Sequence, residues 1–165
     1  MFFRGALSGA VAEAPMRPEN FAFFPRARLM LLAELHPDLI DAGLTPGNPE
    51  GGMPPELQRD SDFLAFWRRH RKPFVPQHEW TRYRYHAVLD GVSGASRLAC
   101  SLLSGSVVFK QESPFYSWFE RWLEPSVHYI PVPTDLSDLP SLVLRAREQP
   151  AAMGRMAEAA AARMR

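Results

Sequence analysis

The sequence predicts an α/β chain with a Rossmann-like, three-layer sheet, and three observations predict it. Short apolar runs of strand length alternate with stretches of helical periodicity along the chain. The stretch from Tyr85 to Glu112 reads as a complete strand, glycine-bearing turn, helix and second strand. The 165 residues suffice for one hydrophobic core and are short for two, so a single domain over 1–165 is expected.

Phe2 and Phe3 read as the end of a buried strand, from which Arg4-Gly5 turns into an Ala, Gly and Pro-rich segment reaching Asn20. A core strand with no turn before it reads as the opening of a fragment. Pro25 to Leu35 is expected to be helical, with proline in the first turn and Leu29, Leu32 and Leu35 at apolar spacing; His36-Pro37 stops it. Asp38 to Ala42 reads as a second strand, followed by a Gly and Pro-rich loop from Gly43 to Pro55. Glu56 to His70 reads as a helix. The Arg68, Arg69, Arg71 and Lys72 cluster at its end is either a solvated terminus or a phosphate or partner site.

Pro76 to Arg82 forms a helical turn into the strand of Tyr85, Ala87, Val88 and Leu89. Asp90 to Gly94 is the turn, Ala95 to Leu103 the helix and Val107 to Lys110 the next strand. Phe115, Trp118, Phe119 and Trp122 repeat at helical spacing, as a stripe packed on the sheet or, alternatively, a sugar-stacking platform; Pro125 ends it. Val127 to Val132 is a further strand, placed near an edge by Pro131. Ser137 is expected to cap a helix from Asp138 to about Glu148. A last helix from Ala151 carries Met153, Met156 and Ala160 on one side.

A composition of 46% hydrophobic and 12% aromatic residues is globular, and 16 prolines with 10 glycines imply long irregular connections. Nineteen basic against eighteen acidic residues leave a net charge of +1 and no global field, so no nucleic-acid partner is expected. No apolar run approaches the roughly 20 residues of a membrane span, and the first residues lack the pattern of a signal peptide. Cys100, the single cysteine, excludes an internal disulfide and is expected to be an ordinary buried thiol on the apolar helix face. His36, His70, His78, His86 and His128 show no zinc spacing, so neither a metal site nor a cofactor is expected.

Chemistry is expected at the turn after Tyr85–Leu89, because a strand-turn-helix delivers unpaired N–H groups to the carboxyl edge of a parallel sheet. Gly91 and Gly94 admit a close ligand, Ser96 adds a hydroxyl and Arg97 a fork of N–H donors, a set that suits a diphosphate. A different reading takes Gly91-Val92-Ser93-Gly94-Ala95 as a nucleophile elbow of a serine hydrolase, with His128 and Asp135 as partners of Ser93. Against it, the last glycine of that motif is alanine and the partners come as His then Asp.

Laid end to end, FFRG at Phe2, RxxL at Arg26, HPDLIDA at His36, GVSGASR at Gly91, GSVVFKQES at Gly105 and VHYIPVPTDLSDL at Val127 resemble one family. It is the CAP10 or Rumi-type glycosyltransferases, the protein O-glucosyltransferase and capsule xylosyltransferase group, and the resemblance runs over nearly the whole chain. It implies a GT-B architecture whose C-terminal Rossmann half binds a UDP-sugar, UDP-glucose or UDP-xylose, as substrate. The N-terminal half, absent from the match, holds the acceptor and an aspartate base, so no catalytic residue is assigned here. The implied reaction is an inverting, metal-independent transfer to a hydroxyl of a protein or glycan acceptor, with basic side chains stabilising the leaving diphosphate. The family implies the lumen of the endoplasmic reticulum or Golgi.

Carried over by position, Val92, Ser93, Gly94, Ala95, Ser96 and Arg97 fall on the nucleotide-sugar loop, with Ser96 and Arg97 facing the diphosphate. Arg26 lies where the family places a phosphate-binding arginine, with Arg4 nearby; the plainer reading of both is surface charge near a helix end. Glu112 stands where a carboxylate accepts from ribose hydroxyls, or is an exposed loop acid. Ser93-Gly94-Ala95 replaces the family's usual Ala-Ala-Ser. A catalytically inactive nucleotide-sugar-binding domain is the alternative reading.

Overall fold

Short strands buried on both sides require a cover on each face, and parallel strands require crossovers that supply it. The computed structural model, which describes residues 1–8, 17–45 and 55–165, meets both requirements. Strands β1 (Phe2–Gly5), β2 (Asp41–Leu44), β3 (Tyr85–Val88), β4 (Val107–Gln111) and β5 (Ile130–Val132) form one sheet in the order β2-β1-β3-β4-β5. Every pairing is parallel. The helices are α1 (Pro25–Leu35), α2 (Pro55–Arg59), α3 (Ser61–Arg69), α4 (Leu98–Leu103), α5 (Leu139–Glu148) and α6 (Pro150–Arg163).

Alternation along β3 and β4 divides the core in two. Tyr85, Ala87, Val107 and Phe109 join Leu29 and Met30 of α1, Phe63 of α3 and Val143 of α5 in the larger cluster. Val88 and Val108 point the other way, to Leu98 and Leu102 of α4 and Ala160 of α6. The chain is therefore an α/β protein of Rossmann-like type, with helices on both faces of the sheet. Pro131 sits in edge strand β5, where a missing N–H leaves no central ladder open.

Several expected elements are shifted, each for a local reason. Leu39 and Ile40 are held in a turn by the carbonyl of His36, so β2 starts at Asp41 rather than Asp38. The helix from Glu56 breaks at Asp60, whose Oδ1 accepts the N–H of Phe63 at 2.7 Å and opens α3. Helix α4 begins at Leu98, not Ala95, and Cys100 is exposed, because Leu98 and Leu102 form the buried face. In α5 neither Ser137 nor Asp138 caps with its side chain; Ser137 N–H donates to Asp135 Oδ1 instead. The loop expected over Gly43 to Pro55 falls mostly on 46–54, outside the described residues.

The largest departure is the aromatic segment. Only Glu120–Trp122 is helical, as one 3-10 turn, and Trp118 is 73% exposed. The reason is polar: Lys110 Nζ meets Glu120 Oε2 at 3.0 Å, with the side chains only 10% and 9% exposed, while Glu120 Oε1 accepts Ser117 N–H. Ser113 Oγ also accepts Phe115 N–H. These bonds fold the chain as a loop.

The order of the sheet creates a switch point. The chain leaves β1 toward β2, then returns to the other side of β1 as β3, so the two crossovers diverge and leave a crevice at their carboxyl ends. The two strands pair only at Phe2 and His86, and they part beyond that point. Asp60→Ala is expected to cost about 1 kcal/mol in urea unfolding, the usual value of a lost N-cap.

Candidate functional site

Where β1 and β3 separate, the carbonyls of β1 that face β3 lose their ladder partners, and buried carbonyls must be satisfied. Two arginines replace the missing strand. Arg26, in the first turn of α1, donates Nη1 to Ala6 O at 3.0 Å and to Ser8 Oγ at 2.8 Å, and Nη2 to Leu89 O at 3.2 Å. Arg97, immediately before α4, donates Nη1 to Arg4 O. The Phe3 ring lies beneath both guanidiniums, 5.8 Å from Arg26 Cζ and 4.8 Å from Arg97 Cζ.

Two glycines make room for them. A Cβ on Gly5 would lie 2.7 Å from Arg97 Nη2, and one on Gly91 would lie 2.9 Å from Arg26 Nη2. Each arginine thus packs on bare backbone. Burial, and then the charge of Arg97, lower the Arg26 pKa to about 10, against the opposing pull of Asp90. Burial lowers Arg97 as well. Neither guanidinium forms an ion pair among the described residues. The crevice floor therefore carries two desolvated positive charges.

Beside them opens a cleft of about 430 Å³. Arg97 and Ser96 form one wall, with Arg4, Gly5 and Ala6 along the end of β1. Thr45, Phe74, Pro76, Gln77 and Trp80 complete it. Trp80 is fixed by its indole N–H, which donates to Val75 O at 3.0 Å, and by its own carbonyl, bonded to His86 Nε2 at 3.0 Å. Burial lowers the His86 pKa and keeps that ring neutral.

The residues singled out in the sequence divide around this cleft. Ser96, Arg97 and Arg4 line it, although the Arg4 guanidinium turns toward β2, where Nη2 meets both Asp41 oxygens at 2.9 Å. Arg26 lies beneath, buried and holding backbone; it is not a surface charge. Val92, Ser93, Gly94 and Ala95 form the loop above α4, where Gly91 N–H closes on Ser93 O and Val92 and Ser93 are exposed. Glu112 is exposed just past β4, and Thr134 donates to its carbonyl. His128 Nδ1 accepts Glu124 N–H, and Asp135 is engaged by Ser137, so neither forms a triad with Ser93. Among the described residues no cluster of three His, Cys, Asp or Glu side chains is placed to hold a metal. Among the described residues no helix is long and apolar enough to cross a membrane.

Sequence reasoning missed Phe74, Gln77 and Trp80. The available signal was two aromatic residues bracketing a proline-rich segment just before a central strand. It also missed Asp90, whose carboxyl burial pushes up against the opposing effects of Ser113, Lys110 and Arg26.

The profile of glycosyl transferase family 90 matches residues 19–165. The chain belongs to that family. Among curated relatives of this family 90 chain, protein O-glucosyltransferase 3 of Rattus norvegicus is 33% identical over 123 residues, covering 74% of this chain and 22% of that protein. Protein O-glucosyltransferase 1 of Homo sapiens is 30% identical over 149 residues, covering 86% of this chain and 36% of its own length. Protein O-glucosyltransferase 2 of Danio rerio is 46% identical over 61 residues, 37% of this chain and 12% of that protein. The family 90 chain thus spans about a fifth to a third of the relatives matched over most of its length.

The Asp41 network that turns Arg4 away gives a pH test. Burial pushes the Asp41 carboxyl up, but Lys72 and Arg4 outweigh it and hold the folded pKa below the ordinary aspartate range. A carboxylate depressed in the folded state stabilises above its unfolded pKa and loses that contribution as pH falls through the folded one. Urea titrations from about pH 6 to pH 3 should therefore show a smaller acid-induced loss of stability in Asp41→Asn than in the wild type.

Proposed function

We propose that this chain is the donor-binding half of a GT-B glycosyltransferase and that its cleft holds a UDP-sugar. The observation that carries the reading is the pair of desolvated guanidiniums, Arg26 buried and Arg97 partly exposed at the cleft, without a carboxylate partner among the described residues. Two cations in a desolvated crevice call for an anion, and a diphosphate supplies one of matching charge and oxygen geometry. Membership of family 90 and the likeness to protein O-glucosyltransferases support a sugar nucleotide as the source of that diphosphate.

In the proposed reaction an acceptor hydroxyl attacks the anomeric carbon from the face opposite the diphosphate, with inversion. The bond from that carbon to the diphosphate oxygen breaks, UDP leaves, and the hydroxyl proton passes to a general base. Arg97, at the cleft surface, stabilises the charge developing on the leaving oxygen, the role a divalent cation fills elsewhere. Arg26 holds the floor on which Arg97 acts. Ser96 and the loop from Val92 to Ala95 close over the phosphates, and Glu112 is assigned to the ribose hydroxyls.

Among the described residues no Asp, Glu or His lines the cleft, and the general base is assigned to a partner half that brings the protein or glycan acceptor. That observation also favours a second reading, a nucleotide-sugar-binding domain without turnover. Transfer of labelled glucose or xylose to an acceptor separates the two.

Calorimetry of UDP binding, with ADP as control and with EDTA present, tests the proposal. Selective UDP binding that survives the chelator is expected, and Arg97→Ala should weaken it by more than about 1 kcal/mol, roughly fivefold or more. An unchanged affinity in Arg97→Ala removes Arg97 from the site.

A further inference from the structure

Outside the cleft, the segment from Glu112 to Glu124 turns to solvent a set of rings that the donor reading leaves unused. Tyr116 is 77% exposed and Trp122 40%, beside the open Trp118, whereas Phe115 and Phe119 are half-buried and Phe119 packs against the Val88 and Leu98 cluster. Every large apolar side chain exposed on this segment is aromatic. Trp118 meets Trp122 at 5.2 Å and Phe119 at 5.9 Å, both with the planes at 90°, so no parallel ring among the described residues covers its face. An exposed cluster of this kind marks a surface that meets something else.

The rings are held in place from beneath. The buried pair of Lys110 and Glu120 ties the segment to the end of β4, Arg163 Nε of α6 donates to Trp122 O at 2.8 Å, and His128 Nδ1 accepts Glu124 N–H at 2.9 Å where the segment ends. Two desolvated charges are thus committed to fixing an exposed loop. Phe115 also adjoins the glycine-bearing turn, since a Cβ on Gly94 would lie 3.2 Å from its own Cβ. The exposed rings stand beside that turn and are not among the residues lining the cleft.

The chemistry of the segment points to one class of occupant. Its exposed charges, Glu112, Arg121 and Glu124, are of mixed sign, and Arg121 itself lies 4.8 Å from the centre of the Trp122 ring. That mixture gives no attraction to an anionic membrane. A pyranose matches both halves of the surface: its C–H face packs on the negative face of an aromatic ring, and its rim hydroxyls can receive hydrogen bonds from a guanidinium or give them to carboxylates. Because Trp118 and Trp122 are perpendicular, they cannot both lie along a flat polymer surface, and a single bending chain is the better fit.

We infer that Tyr116, Trp118 and Trp122 form a platform for a neutral glycan chain, separate from the donor cleft, and that this glycan is the acceptor. The acceptor role rests on the donor reading above, whereas the platform itself does not. It gives this chain its own hold on the molecule that receives the sugar.

The test follows the indole N–H signals of the four tryptophans by NMR as xylotetraose or cellotetraose is added to the full chain, up to about 10 mM. Trp118 and Trp122 are expected to shift, and the buried Trp67 and Trp80 to stay in place. Trp118→Ala, shown to be folded by thermal melting, is expected to weaken glycan binding about fivefold or more and to keep UDP affinity. Arg97→Ala, which weakens UDP, is expected to keep glycan affinity within about twofold. The platform is overturned if neither sugar shifts Trp118 or Trp122 in the folded chain, or if Trp118→Ala binds glycan as the wild type does. Binding to phosphatidylglycerol vesicles, or self-association, that disappears in Trp118→Ala while the sugars cause no shift assigns the rings to a membrane or to a second copy and overturns it as well. A folded wild type that binds glycan but no UDP upholds the platform and overturns the donor reading, and the acceptor role with it.

Discussion

The parting of β1 from β3 beyond Phe2 and His86 is the constraint on which the rest of this structure depends. A sheet that opens in its middle exposes carbonyls that no neighbouring strand can reach, and such groups are costly to bury unpaired. Arg26 and Arg97 reach them because a guanidinium carries several donors on one rigid plane. Their commitments to Arg4 O, Ala6 O and Leu89 O keep the crevice open at a fixed width and draw two positive charges to its floor. The backbone's need for donors and a ligand's need for cations are thus met by the same side chains.

That economy explains the unequal behaviour of the four arginine and loop features around the cleft. Arg4 has an internal carboxylate, Asp41, and Asp41 also receives Lys72 Nζ at 2.6 Å; this group is closed. Arg26 is closed in a different way, by backbone, and its Nε is buried without a hydrogen-bond partner among the described residues. Arg97 alone of the three combines a partial exposure with a place on the cleft wall and a seat between Phe3 and Trp80. The loop from Gly91 to Ser96 rests on this arrangement, and it is joined to the next loop where Gly94 approaches Phe115.

Much of the fold was legible because burial in a parallel sheet writes itself as short apolar runs, and helix α1 was legible at both ends because Pro25 and His36-Pro37 punctuate it. The aromatic stripe from Phe115 to Trp122 misled for the opposite reason. Helical spacing is a local signal, and a buried pair formed by Lys110 of β4 with Glu120 overrides it from outside the stripe. The site was partly legible. Arg97 and Ser96 lie in a glycine-bearing turn that points to itself, whereas Phe74 and Gln77 meet them only through the folding of distant segments. No spacing rule connects residues on opposite walls of a cleft, and the orientation of Arg4 toward Asp41 depends on the register of β1 with β2.

The position of β1 in the sheet also bears on how the chain reaches this state. This interior strand precedes both of its neighbours in sequence, and each lies far along the chain, at Asp41 and at Tyr85. Every pairing it makes closes a long loop, and parallel pairings of this kind are slow to form because the entropy of closure is spent before contacts repay it. Until Tyr85–Val88 arrives, the apolar edge of Phe2–Gly5 has no cover on that side. A chain built this way is most vulnerable to misassociation during folding, and its refolding yield should depend on protein concentration more steeply than its final stability would suggest.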